Sequence, residues 1–307
     1  MLTHDNWLCH GFDRGGTEPK YADNWRIKFN HTSLNYDLDF PGSISRALEL
    51  IAEKNKKIIV QYSGGLDSEI IIRQACKLGI DVIPYTLRFH NNLNDHEIYY
   101  CKILEKELGI KINYIDLDID AWFYQIDFPK GYCYYIENFD IWHPAAPQAW
   151  WLRDVIDDIE GDCIVLNGSG DAPLFRRPDK YHPATWQWGI TFNLDGHWKR
   201  LWYSNNYYPN DVPLFHMYIP EIHYSFLTHP LLKHCVSAGS FKLSSTSTRH
   251  QLYHTYYPEC EPRTKYSGYE QLMDNKENLN YPSVRSYSCA MSTPHIPYEE
   301  YIRMLQV

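Results

Sequence analysis

Ile58-Ile59-Val60-Gln61-Tyr62-Ser63-Gly64-Gly65-Leu66-Asp67-Ser68 is the stretch that decides the fold. Ile58-Ile59-Val60 is a short unbroken apolar run, as expected for a strand buried on both faces. Two glycines follow almost at once, and residues 67–78 read as a helix closed by Gly79. A strand that turns through glycines straight into a helix leaves several N–H groups converging on the helix start. Glycine permits close backbone approach there, and the helix terminus adds partial positive charge that favours a phosphate chain. Ser63 and Ser68 supply hydroxyl donors. Asp67 would repel phosphate unless a cation lay between them, so the pattern implies Mg²⁺.

Downstream, the pattern repeats. Asp81 to Leu87 reads as a second strand. Asn94-Asp95-His96-Glu97 has the form of a capping box, and Ile98, Cys101, Leu104 and Leu108 give the helix behind it an apolar stripe ended by Gly109. Lys111 to Leu117 reads as a third strand, residues 147–159 as a helix opened by Pro147, and Cys163-Ile164-Val165-Leu166 as a fourth strand. That strand runs into a second glycine turn, Asn167-Gly168-Ser169-Gly170-Asp171. The order β-α-β-α-β predicts an α/β fold, a doubly wound parallel sheet covered by helices. Its ligands are expected beyond the carboxyl ends of the strands.

Upstream, residues 1–42 are polar, aromatic and poorly periodic, which suits a few short strands or a wrapping arm. Pro41-Gly42-Ser43 reads as a break, with Ser43 or Ser45 capping a helix over 44–54 whose apolar positions are Ile44, Leu48 and Ile51. Residues 176–212, rich in Trp, Tyr, Pro and Asn, read as long loops, and the chain from 213 as mainly helical. Three segments result: an N-terminal arm or short strands (1–43), a nucleotide-binding α/β core (44–175), and a loop-rich then helical C-terminal part (176–307) that completes a substrate pocket.

The first glycine loop lacks the G-x-x-x-x-G-K-[ST] pattern and resembles the loop of the ATP-pyrophosphatase (PP-loop) enzymes. Three further segments are similar to the synthetase domain of the asparagine synthetases: the acidic helix start at 94–97, the Pro-rich Asp140-Ile141-Trp142-His143-Pro144-Ala145-Ala146-Pro147, and the turn Gly168-Ser169-Gly170-Asp171-Ala172-Pro173-Leu174-Phe175. The last departs from the family pattern. With Leu174 and Phe175 aligned, Ala172 takes the place of the family's acidic residue, and Asp171 falls one place early. His229-Pro230-Leu231-Leu232 resembles a structural segment of that family, and Arg263-Thr264-Lys265 its Arg-x-Lys stretch.

The resemblance, over about residues 44–275, implies an adenine nucleotide alpha hydrolase-like fold and a set of roles. Ser63, Gly64, Gly65, Leu66, Asp67 and Ser68 would hold the pyrophosphate of ATP. Backbone near Tyr62, Leu87 and Gly168 would hold the nucleoside, Asp67 and Asp171 the Mg²⁺, and Lys265 would stabilise charge at the reacting centre. The implied reaction cleaves ATP to AMP and pyrophosphate while activating a carboxylate for amide formation with ammonia or an amine. The N-terminal glutaminase of asparagine synthetases has no counterpart, since Leu2 stands where its catalytic Cys would follow Met1. Nitrogen is therefore expected as free ammonia, as an amine, or from a separate glutaminase partner.

Composition narrows the alternatives. A net charge of −9 over 307 residues, with no run of Lys and Arg beyond Lys54-Asn55-Lys56-Lys57, disfavours nucleic acid as a partner. The eight Cys form no C-x-x-C pair, so a zinc ribbon or redox pair has no support. With neither a signal-like start nor a long apolar run, the expectation is a cytoplasmic protein away from the membrane. Two other readings stand beside the ligase: sulfur transfer to or modification of a nucleobase on tRNA, as other PP-loop proteins perform, and a non-catalytic nucleotide-binding relative. His223, His229 and His234 share no helical face and read as satisfied histidines. Asp154, Asp157 and Asp158 read as a solvated helix face.

Overall fold

The computed structural model describes residues 2–4, 7–12, 25–29, 34–139, 145–170, 174–178, 186–191, 199–237, 245–263 and 295–306. Strands β1 (Leu2–His4), β2 (Leu8–Phe12) and β3 (Trp25–Phe29) form a small antiparallel sheet in chain order. Trp7, between the first two, is buried and donates from Nε1 to the Met217 carbonyl at 2.8 Å, tying this sheet to the C-terminal part.

Helix α1 (Phe40–Ala52) begins earlier than the sequence pattern predicts. Pro41 lies in its first turn, where a missing N–H costs nothing, and the cap is Asp39, whose side chain accepts from Gly42 N at 2.8 Å. Neither Ser43 nor Ser45 is the cap; their hydroxyls donate to the carbonyls of Asp39 and Pro41.

The core then follows the expected order: β4 (Lys57–Gln61), α2 (Leu66–Leu78), β5 (Val82–Phe89), α3 (Asp95–Leu108), β6 (Asn113–Leu117), α4 (Ile119–Tyr124), α5 (Tyr132–Phe139), α6 (Ala145–Glu160) and β7 (Cys163–Asn167). The four strands pair in parallel in the order β6-β5-β4-β7. Because strand residues alternate between faces, Ile58, Val60, Ile164 and Leu166 pack with α1 and α2, through Ile44, Leu48, Ile70 and Ile71. Ile59, Cys163 and Val165 pack on the other face with Leu152 and Ile156 of α6. Both faces are thus covered, and the fold is a doubly wound parallel α/β sheet. The chain runs outward from β4 through β5 to β6, then returns to place β7 on the other side of β4. The crevice at the carboxyl ends of β4 and β7 is therefore a topological switch point.

The region expected to be long loops holds regular structure. β8 (Leu174–Pro178), β9 (Trp186–Thr191) and, far along the chain, β10 (His295–Pro297) make an antiparallel sheet of order β10-β9-β8. Helix α7 (Lys199–Tyr207) follows β9. Helices α8 (Pro220–Thr228), α9 (Pro230–Ser237), α10 (Ser245–Tyr256) and α11 (Tyr298–Leu305) give the rest of the described C-terminal part its helical character. His223 is buried and satisfied: its Nε2 donates to the Gly170 carbonyl at 2.8 Å, and its Nδ1 accepts from Tyr301 Oη at 2.7 Å. Among the described residues no helix is long and apolar enough to cross a membrane.

Asp154 is not on a solvated face. It is buried and accepts from Lys130 Nζ at 2.6 Å, from Tyr203 Oη at 3.0 Å and from the Tyr208 hydroxyl. Asp157 and Asp158 are exposed as expected.

Candidate functional site

Gly65 caps α2 with extended backbone and no side-chain cap bond, so the first amides of the helix have no side-chain cap. Gly64 before it lies in the left-handed region at φ 73°. A Cβ there would stand 2.6 Å from the Glu97 carbonyl, because the loop packs directly on the first turn of α3. The second glycine turn is equally close: a Cβ on Gly168 would lie 2.4 Å from Ser68 Oγ and 2.6 Å from Ser68 N. Two glycine turns from β4 and β7 thus meet at the switch point, and each needs its glycine for contact with the other elements.

Between them opens a cavity of about 230 Å³. Tyr62, Ser63, Gly65, Asp67 and Ser68 line it from the loop, Thr86, Leu87 and Phe89 from β5, Gln148, Ala149 and Leu152 from α6, and Gly168 and Ser169 from the second turn. Of the expected site residues, Tyr62, Ser63, Gly65, Asp67, Ser68, Leu87 and Gly168 come together here. Gly64 and Leu66 belong to the same turn but face away: Leu66 is buried in the core. Asp171 and Lys265 lie outside the described residues.

Ten of the lining residues are not among the expected site residues, and Gln61, Glu97, Asn167 and Arg200 are four of them. Gln61 and Asn167 are register partners at the ends of β4 and β7. Gln61 Nε2 donates to the Ala149 carbonyl at 2.7 Å, and its Oε1 accepts from Asn167 Nδ2 at 2.9 Å. Asn167 Oδ1 accepts from Ser169 Oγ at 2.6 Å and from Arg200 Nη1 at 3.3 Å. Arg200 comes from α7, and Glu97 of α3 lines the cavity beside the loop, which its backbone meets at Gly64. A smaller pocket of about 30 Å³, room for about two waters, adjoins through Gln61, Ala149, Asn167 and Arg200. Position alone marks Gln61 and Asn167, since each is the last residue of a strand feeding a glycine turn. Arg200 carries no local signal.

Asn94 precedes α3 but forms no capping box. Its Oδ1 accepts from Phe89 N at 3.0 Å, and its Nδ2 donates to the Leu87 carbonyl at 2.9 Å. It braces the end of β5 that lines the cavity.

The C-terminal part holds the loop from behind. Tyr253 Oη donates to Asp67 Oδ1 at 2.7 Å, and His216 Nε2 donates to the Asp67 carbonyl at 3.3 Å. Arg263 Nε donates to the Gly64 carbonyl at 2.6 Å. Glu69, at 1 % exposure, accepts from Tyr62 Oη at 2.9 Å, from Arg73 Nε at 2.8 Å and from Arg263 Nη2. Burial, with Glu69 beside it, raises the Tyr62 phenol well above its ordinary range, so it remains a neutral donor. Burial pushes the Cys101 and Cys260 thiols up to about 12, which leaves neither as a thiolate near neutral pH.

The donor set suits a phosphate chain: an uncapped helix start, the Ser63 and Ser68 hydroxyls, and no described carboxylate on the loop itself except Asp67. Asp67 lines the cavity, and Tyr253 holds its Oδ1. Mg²⁺ needs only one or two protein carboxylates when phosphate oxygens and waters complete its shell, so these residues fit that ion. Among the described residues no three His, Cys, Asp or Glu side chains gather as a self-sufficient metal site.

No family model matches the sequence, and no curated protein matches it. Among solved structures, the chain is similar to the NMN synthetase from Francisella tularensis. The identity is 16%, covering 42% of this chain and 55% of that one, with a TM-score of 0.30. It is also similar to the NH3-dependent NAD synthetase from Campylobacter jejuni, at 14% identity over 80% of this chain and 99% of that one, with a TM-score of 0.36. The chain thus spans about half the length of the first. Likenesses this low carry no functional assignment, and the fold rests on its own strand order and loop geometry.

Proposed function

We propose that this chain is an ATP-dependent enzyme of the PP-loop type, which cleaves ATP to AMP and pyrophosphate and activates a carboxylate for amide formation, in the manner of the asparagine synthetases. The observation that carries this reading is the Ser63–Ser68 turn, opening an uncapped helix at the switch point of a parallel sheet. In this reading Ser63, Gly64, Gly65, Leu66 and Ser68 grip the pyrophosphate portion through amides and hydroxyls, and the cavity wall at Tyr62, Leu87 and Gly168 holds the nucleoside. Mg²⁺, when bound, supplies charge neutralisation of the pyrophosphate, with Asp67 as its ligand and Asp171 as a further candidate. The carboxylate attacks the α-phosphorus and pyrophosphate leaves; ammonia or an amine then displaces AMP from the acyl group. The residues named here position and stabilise. Lys265 is the proposed stabiliser of developing charge.

The proposed division of labour follows from the same reading. Residues 44–175 bind nucleotide in a cytoplasmic setting, and the part after 176 supplies Arg200, His216, Tyr253 and Arg263 to complete and brace the site. The neutral buried thiols at Cys101 and Cys260 lend no support to sulfur transfer.

The test is pyrophosphate release from ATP and Mg²⁺ across a panel of small carboxylates with ammonia, with mass spectrometry of adenylates and amides. Carboxylate-dependent release that drops at least a hundredfold in Asp67→Asn is the expected result, since one preorganised charge interaction is worth roughly that factor. Release that requires tRNA and no carboxylate would support base modification instead. ATP binding without release under any condition would support a non-catalytic relative.

A further inference from the structure

The feature that the proposed chemistry does not use is the charge network behind the loop. Glu69 lies in the first turn of α2, one residue after Ser68, and points away from the cavity into the core. A carboxylate so buried is costly unless paired and fully bonded. It is held by a tyrosine and by two arginines from different parts of the chain, Arg73 four residues on and Arg263 at a separation of 194. Arg73 also reaches outward to Glu107. Arg263 instead reaches inward to the loop backbone at Gly64. Its Nη1 donates to the Glu261 carbonyl at 2.7 Å, and its guanidinium lies over the Tyr100 ring at 4.2 Å. One side chain thus joins the helix that starts at the loop, the loop itself, and the segment from which Arg263 comes.

The Gly64 carbonyl is where this matters. In the left-handed turn its orientation is tied to that of the next amide, since the two share one rigid peptide plane. A carbonyl held by Arg263 on the outer side directs the Gly65 N–H to the opposite side of that plane, towards the loop's concave face. The contact with the backbone of Glu97 limits the turn from the other flank.

We propose that Arg263 is a positioning residue for the phosphate loop, anchored by Glu69, and that it makes the loop's affinity for a pyrophosphate group depend on the docking of the 257–263 segment. This rests on the phosphate-binding reading of the loop. Arg263 does not itself touch the ligand. A lysine could bond either Gly64 or Glu69 but lacks the planar fork that bonds both.

The experiment compares Arg263→Ala, Arg263→Lys and Glu69→Gln with a control, Glu107→Gln, which removes the outer ion pair of the same network but no contact with the loop. Three readouts are taken on the full chain: ATP and inorganic pyrophosphate binding by calorimetry, KM and kcat for pyrophosphate release, and amide hydrogen exchange over residues 62–69 without ligand. Arg263→Ala is expected to weaken binding of both ligands at least about tenfold, the worth of one charge-assisted bond. It should raise KM for ATP more than it lowers kcat and accelerate exchange in 62–69, with Arg263→Lys restoring little. Glu107→Gln should leave affinity and loop exchange unchanged. If Arg263→Ala does not fold, Arg263→Gln takes its place, since its amide can still donate to the Gly64 carbonyl but carries no charge to pair with Glu69; it should weaken binding of both ligands and accelerate exchange in 62–69 relative to wild type. Unchanged affinity and unchanged loop exchange in the folded arginine variants, or full rescue by lysine, overturns the proposal. If the wild-type chain binds neither ATP nor pyrophosphate, the functional reading fails, and the affinity part of this proposal with it; faster loop exchange in Arg263→Ala would then still show that Arg263 orders the loop.

Discussion

A methyl group on Gly64 would meet two obstacles at once, a left-handed backbone and the Glu97 carbonyl 2.6 Å away. Gly79, at the far end of α2, shares the conformation at φ 68° but has nothing within 4 Å of its virtual Cβ. The pair separates conformation from contact. Gly79→Ala is expected to cost about 1 kcal/mol of stability from the backbone alone and to leave ATP affinity unchanged. Gly64→Ala should cost more and also abolish binding, because relief of the clash must move either the loop or α3. Thermal unfolding paired with calorimetric ATP titration of both variants checks this; equal affinities would refute the role of the Gly64 contact. Gln61 and Asn167 show the limit of sequence reading at this scale. Each lies beside a glycine turn that the sequence makes plain, yet their mutual bond joins residues 106 apart. Nothing local announces it.

At the scale of elements, the apolar runs at 58–60 and 163–166 and the closing glycines at 79 and 109 made the parallel core legible, because burial on both faces leaves no polar alternation to misread. The sequence pattern starts α1 four residues late because Pro41 and Gly42 look like a break. In fact proline suits a first turn, and Asp39 supplies the cap. Asp39→Ala should therefore lower Tm by about 2 °C, as loss of a cap worth about 1 kcal/mol implies. Ser45→Ala, which removes only a bond to the Pro41 carbonyl, should change it less. The reverse order would return the cap to the serines. The capping-box motif at 94–97 failed for a comparable reason: an asparagine at a strand–helix junction found stronger partners in the strand backbone at Leu87 and Phe89. The 176–212 stretch concealed two strands and α7 because its aromatic residues lack clear periodicity, and Arg200 went unseen with them.

Across the whole molecule, stability depends on acidic groups buried between segments distant in sequence. Asp211, 6 % exposed along its side chain, accepts from Arg153 Nε at 2.5 Å and from Val165 N at 3.0 Å. Burial pushes its carboxyl up to about 6, against the opposing pull of Arg153. The folded value thus lies above the unfolded one, near 3.9, and the folded state binds this proton more tightly. The associated stability is complete below about pH 4 and is lost as pH rises through about 6. Asp211→Asn should flatten the curve of Tm against pH between about 4 and 6.5, whatever it does to the absolute Tm. An unaltered slope would assign that pH dependence to other groups.

Glu69 has a consequence for the chain as two pieces. A fragment ending near 178 contains the entire parallel sheet and the glycine loop, yet it buries Glu69 without Arg263 and leaves Asp67 without Tyr253. Such a fragment is incomplete in charge as well as in surface, and the segment carrying Arg263 is its natural complement. The two halves, expressed separately and mixed, are expected to recombine, and recovery of nucleotide binding would report their association.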